Sequence, residues 1–180
     1  MKNNLSVIVT VLNEEATVVD LLKSLTRQTF LPGEIVIVDG GSRDRTVELI
    51  KKFRNTYRKI KIKIYQVKSN LSAGRNLAVK KSTGEWLAIT DAGCIPENNW
   101  LEELFKAQKR QDAPVVAGFY KGLSKNSFEK ASIPYFLVMP DRVQEGNFLP
   151  ATRSMLITKD VWRQFGGLDE NLPTGEDYAF

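Results

Sequence analysis

Histidine is absent from the 180 residues, and cysteine occurs once, at Cys94. The first absence removes the Ser-His and Cys-His pairs on which much nucleophilic catalysis depends. The second rules out an internal disulfide framework and fits a reducing compartment. With no histidine to activate it, Cys94 reads as a small packing residue rather than a nucleophile. No run approaches the roughly 18 uninterrupted apolar residues of a membrane span. Residues 1–4 lead straight into a strand-like segment, which leaves no room for a signal peptide. The expected location is the cytoplasm, including the inner face of its membrane. Acidic residues are missing from positions 49–84, which hold eleven Lys or Arg. That run reads as a solvated face. A second reading is peripheral contact with an anionic membrane, at about 1 kcal/mol per basic residue near the surface. Few aromatics interleave the basic residues, so no nucleic acid partner is expected.

What is present is a repeating alternation. Residues 6–12, 34–39, 60–67 and 86–90 are short, apolar and rich in Val and Ile, as buried strands are. Amphipathic stretches of helix length lie between them. Asn13 is placed to cap a helix with Glu14 and Glu15 in its first turn and Val18, Leu21, Leu22 and Leu25 as its core stripe. Asp44 can cap a second helix running to Phe53, and Ser72 a third that stops at Gly84. Pro96 suits the first turn of a fourth, which carries Trp100, Leu101, Leu104 and Phe105. This order predicts an α/β fold, a mostly parallel Rossmann-like sheet with helices on both faces. Such sheets bind ligands at the carboxyl ends of their strands, near the point where strand order switches. The length suits one domain, residues 1–180. Residues 120–150 are less regular and read as a variable region laid over the sheet.

Two predicted strands end in carboxylates. Asp39 is followed by Gly40, Gly41 and Ser42, and Asp91 by Ala92 and Gly93. Either acid alone serves a turn as readily as a ligand. Together, at equivalent places in successive βα units, they point into one crevice. There they can accept from a base or ribose, or hold a hard cation that bridges phosphates. The Gly pair also brings backbone amides toward an anion. It lacks the full dinucleotide-binding spacing and equally matches the acidic-glycine turn of S-adenosylmethionine-dependent methyltransferases.

Taken in order, these segments resemble the inverting glycosyltransferases of family 2, which have the GT-A fold. The resemblance rests on Ser6 through Glu14, Val38 through Thr46, and Ala73 through Asn76 leading to Gly84. It continues through Thr90 to Cys94, Phe165 to Glu170, and Gly175-Glu176-Asp177. It implies transfer of a sugar from a nucleoside-diphosphate sugar, of uridine type, to a hydroxyl of a carbohydrate or lipid-linked acceptor, in polysaccharide, glycolipid or cell-envelope glycan synthesis. Residues 1–119 would then bind the nucleotide sugar and 120–180 the acceptor. By resemblance, Thr10, Leu12, Asn13 and Glu14 line the nucleotide pocket and Asp39 accepts from the base. Arg75 sits beside the nucleotide, where a guanidinium pairs with phosphate or locks an acid. Asp91 takes the first acid of the D-x-D motif and would hold Mg²⁺ or Mn²⁺. Asp177 is the general base, with Glu176 beside it.

The chain departs from the family where Gly93 replaces the motif's second acid. A single carboxylate holds a divalent ion only with phosphates completing its shell. A metal-independent enzyme and a catalytically silent nucleotide-sugar-binding module therefore stand as alternatives, with the methyltransferase as a third. Arg153, just before the apolar run from Met155, is either a binder of an acidic acceptor or phosphate or half of a surface ion pair. Tyr135, Phe136 and Trp162 are expected in the core rather than stacked on sugars. The chain stops three residues after Asp177, where members of the family continue with further helices and often membrane segments, so the acceptor half is expected to be incomplete.

Overall fold

A computed structural model describes residues 4–124, 126–137, 139–143, 150–172 and 175. The elements run β1 (Leu5–Val11), α1 (Val18–Thr26), β2 (Glu34–Asp39), α2 (Thr46–Thr56), β3 (Lys61–Gln66), α3 (Leu71–Lys81) and β4 (Trp86–Asp91). They continue through α4 (Trp100–Gln111), β5 (Val115–Ala117), α5 (Ser127–Phe136), β6 (Ser154–Thr158) and α6 (Lys159–Gln164). The six strands form one sheet in the order β3-β2-β1-β4-β6-β5. The first four are parallel. β6 is antiparallel to both β4 and β5.

The period-two geometry of the strands divides their apolar residues between two cores. Val7, Val9, Ile35 and Ile37 pack with Leu21, Leu22, Ile50, Leu101 and Leu104 from α1, α2 and α4. Ile8, Val36, Val38 and Ile89 face the other way, onto Ala78 and Val79 of α3 and Trp162 of α6. Because both faces are covered, the central strands read as continuous apolar runs rather than as alternation. Each fully buried Val, Ile or Leu contributes about 1.5–3 kcal/mol. The charged residues Lys61 and Lys63 lie on edge strand β3, where lysine discourages pairing with another chain.

Several helix starts differ from the sequence expectation. Asn13 adopts a left-handed φ of 56° instead of capping α1. A turn follows it, and the Thr17 and Val18 N–H groups donate to Glu14 O at 3.1 and 2.9 Å before the helix starts. α3 is capped by Asn70, whose side chain accepts from Ala73 N–H, while Ser72 is buried. Pro96 precedes α4 instead of sitting in its first turn. The region after Tyr120 is also less attached than expected. Leu123, Phe128 and Tyr135 are 76%, 82% and 86% exposed, so the expected core role of Tyr135 does not hold. Trp162 is in the core as expected. The side chain of Phe136 lies outside the described residues.

Candidate nucleotide-sugar site

Strand order reverses at β1. The chain steps outward from β1 to β2 and β3, then returns to place β4 on the other flank of β1. The crevice at the carboxyl ends of β1 and β4 is therefore the switch point of the sheet. The register sets Asp91 beside Thr10, and Asp39 beside Val11 on the opposite flank. The two acids thus end strands on either side of β1.

A cleft of about 320 Å³ opens there, lined by Thr10, Leu12, Glu14, Ser69, Gly74 and Asp91 among others. Its floor depends on Gly74. A Cβ at that position would approach Thr10 Cγ2 to 3.1 Å and Ser69 Oγ to 3.4 Å, so a side chain there would crowd the Thr10 methyl and the Ser69 hydroxyl. Leu12 and Leu71 form apolar walls and are 54% and 46% exposed. Thr10 Oγ1 and Ser69 Oγ are buried and have no hydrogen-bond partner. Buried hydroxyls rarely go unpaired unless a ligand or water completes them.

The loops after β1 and β2 are stitched together. Asn13 N–H donates to Ser42 Oγ at 2.8 Å, and Arg43 N–H donates to Asn13 Oδ1 at 2.8 Å. Glu14 N–H donates to Thr46 Oγ1 at 2.7 Å, and Glu15 N–H to Asp44 Oδ2 at 3.0 Å. Asn13 thus shapes the wall from behind, while Glu14 and Leu12 line the cleft. Asp39 is fully buried. Its carboxylate accepts from Gly41 N–H at 3.3 Å and from Ser42 N–H at 3.2 Å. The acid holds the Gly40-Gly41-Ser42 turn, with Gly41 at a φ of 108°. Neighbouring Val38 and Gly40 line the cleft directly.

Asp91 lies between two guanidinium groups. Arg75, 2% exposed on α3, donates from Nη2 to Asp91 Oδ1 at 2.7 Å. Arg153 places Nε 3.7 Å from Asp91 Oδ2, with its guanidinium carbon 4.9 Å from the centre of the Tyr120 ring. Arg153 gets there because the antiparallel register sets Ser154 of β6 opposite Thr90 of β4. Sequence reasoning isolated Arg153 as an unusual charge but had no means of pairing it with Asp91, 62 positions away. It also passed over Ser69 and Tyr120, which carry no motif signal.

α3 also fixes the approach of the C-terminal segment. Asn70 Nδ2 donates to Glu170 O at 2.6 Å, and Asn76 pairs with Leu168 and Glu170. Glu176 and Asp177, the expected base pair of acids, lie outside the described residues.

A divalent ion fits the described residues poorly. No group of three potential ligands occurs among them. Both oxygens of Asp91 face guanidinium groups, which compete with a cation. At Gly93 a Cβ would meet nothing within 4 Å, so the place of a second acid is open space. Cys94 sits next to this segment, and burial, reinforced by the Asp91 charge, pushes its thiol above the ordinary value. A protonated thiol is no nucleophile at neutral pH.

A mostly parallel sheet with its cleft at the switch point, flanked by antiparallel strands beside β4, is the arrangement of a GT-A domain. Residues 6–165 match the family described as glycosyl transferase family 2, and the chain belongs to it. It is 27% identical to the glycosyltransferase AglE of Haloferax volcanii over 96% of its own length and 58% of that protein. It superposes on Staphylococcus aureus TarS 1–349 in complex with UDP with a TM-score of 0.76, at 24% identity, over 96% of this chain and 52% of that one. The mannosyltransferase PcManGT of Pyrobaculum calidifontis, in complex with GDP-Man and Mn²⁺, matches with a TM-score of 0.75, at 19% identity, over 97% and 50% of the two chains. The chain thus spans little more than half the length of these relatives. No helix among the described residues is long and apolar enough to cross a membrane.

Proposed function

We propose that this domain transfers a sugar, with inversion, from a UDP-type nucleotide sugar to a hydroxyl of a carbohydrate or lipid-linked acceptor in cell-envelope glycan synthesis. The observation that carries this reading is the pair of buried, unpartnered hydroxyls of Thr10 and Ser69 in a cleft that ends at Asp91. TarS in complex with UDP and PcManGT in complex with GDP-Man support a nucleotide-sugar donor, and TarS supports the uridine type. In this reading Leu12 and Leu71 flank the base, and Asp39, buried under the Gly40-Gly41-Ser42 turn, accepts from its imide once that turn shifts to uncover the carboxylate. Residues 1–119 supply the nucleotide side and 120–180 the acceptor side, with Arg153 reaching back from the second stretch to Asp91.

The acceptor oxygen attacks the anomeric carbon from the face opposite the diphosphate. The bond from that carbon to the diphosphate oxygen breaks, and its electron pair leaves with the nucleotide. The acceptor proton passes to Asp177, with Glu176 beside it, a contribution of about 10²–10⁴-fold for a positioned base. Charge developing on the diphosphate is stabilised by nearby cations. The Mg²⁺ or Mn²⁺ expected on Asp91 would find one carboxylate already facing two guanidinium groups. The basic stretch 49–84, carried by α2, edge strand β3 and α3, would hold the domain at the inner face of an anionic membrane in the cytoplasm.

Titration calorimetry tests the reading. UDP should bind and S-adenosylmethionine should not; the reverse result identifies a methyltransferase. Asp177→Asn should keep the affinity for UDP and lose turnover. Unchanged turnover removes Asp177 as base, and absence of turnover in the parent protein leaves a silent binding module.

A further inference from the structure

Two guanidinium groups flank Asp91, and one of them lies over an aromatic ring. The buried Arg75 donates to Asp91 through a partly buried hydrogen bond of 2.7 Å. Arg153 differs. Its side chain is 42% exposed, and its Nε lies 3.7 Å from Asp91 Oδ2, beyond hydrogen-bond distance. Asp91 therefore attracts the Arg153 guanidinium without using up its fork of donors. Tyr120 supports the plane of that guanidinium from one side at 4.9 Å, which restrains a side chain that otherwise loses much rotamer freedom on binding. The two guanidinium groups and the carboxylate between them carry a local charge of +1, with Glu14 on another wall of the cleft. Two residues after Asp91, the space around a Cβ at Gly93 is open.

We infer that Arg153, stacked on Tyr120 and set beside Asp91, is the diphosphate-binding cation of this site and takes the place of a metal ion on a second acid. The inference rests on the nucleotide-sugar reading and adds to it a charge-neutralising residue and a metal-independent mode of donor binding. The chemistry is consistent. A planar fork meets phosphate oxygens bidentately. Asp91 holds both arginines in place, and the diphosphate brings the negative charge that the site lacks. An acid at position 93 would add negative charge to that space, so glycine suits an arginine-built site, whereas a metal-built one calls for the acid.

The test is calorimetric binding of UDP and of GDP, each in excess EDTA and in Mn²⁺, to the parent protein, Arg153→Gln, Arg153→Lys and Gly93→Asp. Thermal melts confirm that the variants fold. For the parent, affinity in EDTA should stay within about threefold of that in Mn²⁺, well under one decade. Arg153→Gln should weaken nucleotide binding roughly ten- to hundredfold, the scale of a charge-assisted hydrogen bond. Uridine, which has no phosphate, should bind the parent and this variant alike. Arg153→Lys should fall between the two. Gly93→Asp meets no steric obstacle and should make binding dependent on Mn²⁺. The inference is overturned if parent binding vanishes in EDTA and returns with Mn²⁺, or if Arg153→Gln binds UDP as tightly as the parent. If neither nucleotide binds under any condition, the nucleotide-sugar reading itself fails, which these other outcomes do not imply.

Discussion

The side-chain amide of Asn76 satisfies both backbone groups of Leu168, as a neighbouring strand would. Its Nδ2 donates to Leu168 O at 2.8 Å, and its Oδ1 accepts from Leu168 N–H at 2.9 Å. The same Nδ2 reaches Glu170 Oε1 at 2.9 Å. Gly167 is required beside this contact, because at its φ of 79° a Cβ would approach Asn76 Oδ1 to 2.6 Å. A helix next to the nucleotide cleft thus anchors the turn that leads toward Glu176 and Asp177. Asn76→Ala should cost about 1–3 kcal/mol of stability, the penalty for leaving partly buried backbone groups unmet. Urea denaturation measures this. A loss below about 0.5 kcal/mol, the range of neutral surface changes, would show that the turn is held by something else.

Asp91→Asn should be more costly than its partial exposure suggests. The substitution removes the carboxylate that the buried Arg75 guanidinium donates to. Breaking a fully buried pair costs about 3–5 kcal/mol. Asp91 is 31% exposed, which lowers the expectation to about 2–3 kcal/mol on that scale. Chemical denaturation should report this loss together with weakened UDP affinity. Normal UDP affinity in a folded Asp91→Asn protein would separate this acid from the nucleotide.

At the opposite end of the sheet, Glu34 is a buried carboxylate surrounded by donors. It accepts from Ser6 Oγ at 2.8 Å and Thr83 N–H at 2.6 Å, and pairs with Lys63 Nζ at 2.6 Å. Burial alone would raise its pKa. Lys63, Thr83 and Ser6 outweigh burial and hold it below the ordinary value of 4.5. A lowered folded pKa gives stability that is complete above the unfolded value and is lost as pH falls through the folded one. Stability of the parent should therefore drop below about pH 4.5 more steeply than that of Glu34→Gln. At neutral pH the variant should be about 2 kcal/mol less stable, as expected for lost hydrogen bonds to a charge. UDP affinity should not change, since Glu34 begins the strand whose other end faces the cleft. Parallel acid limbs for the two proteins would contradict the assignment.

Phe128 offers the reverse case. At 82% exposure on α5, it has little burial to lose. Phe128→Ser should leave the free energy of unfolding within about 0.5 kcal/mol of the parent. A loss above about 2 kcal/mol, the range for buried aromatics and aliphatics, would place α5 in the core.

The parallel half of the fold was legible because its signals are local. Continuous Val and Ile runs at residues 34–39 and 86–90 mark strands buried on both faces, and both were located to within a residue. Acids at strand ends pointed to the crevice for the same reason. Helix starts were less legible, because several polar residues compete for each cap. Asn70 prevailed over Ser72, and Asn13 was drawn into the contact between the β1 and β2 loops. Strand order was the hardest feature to read. Nothing near Arg153 signals that β6 lies antiparallel against β4, and that pairing alone brings Arg153 to Asp91.

The late arrival of β6 in the sheet also bears on how the cleft matures. Chains emerge from the ribosome N-terminus first, and large segments begin folding as they appear. A nascent chain extended only through α4 already contains the four parallel strands, Thr10, Arg75 and Asp91. Until β6 docks, it has neither Arg153 nor the Tyr120 stack that supports it. An unfinished chain would thus have the walls of the binding site without its full complement of positive charge, and tight capture of a costly metabolite would wait until the polypeptide had closed its own sheet.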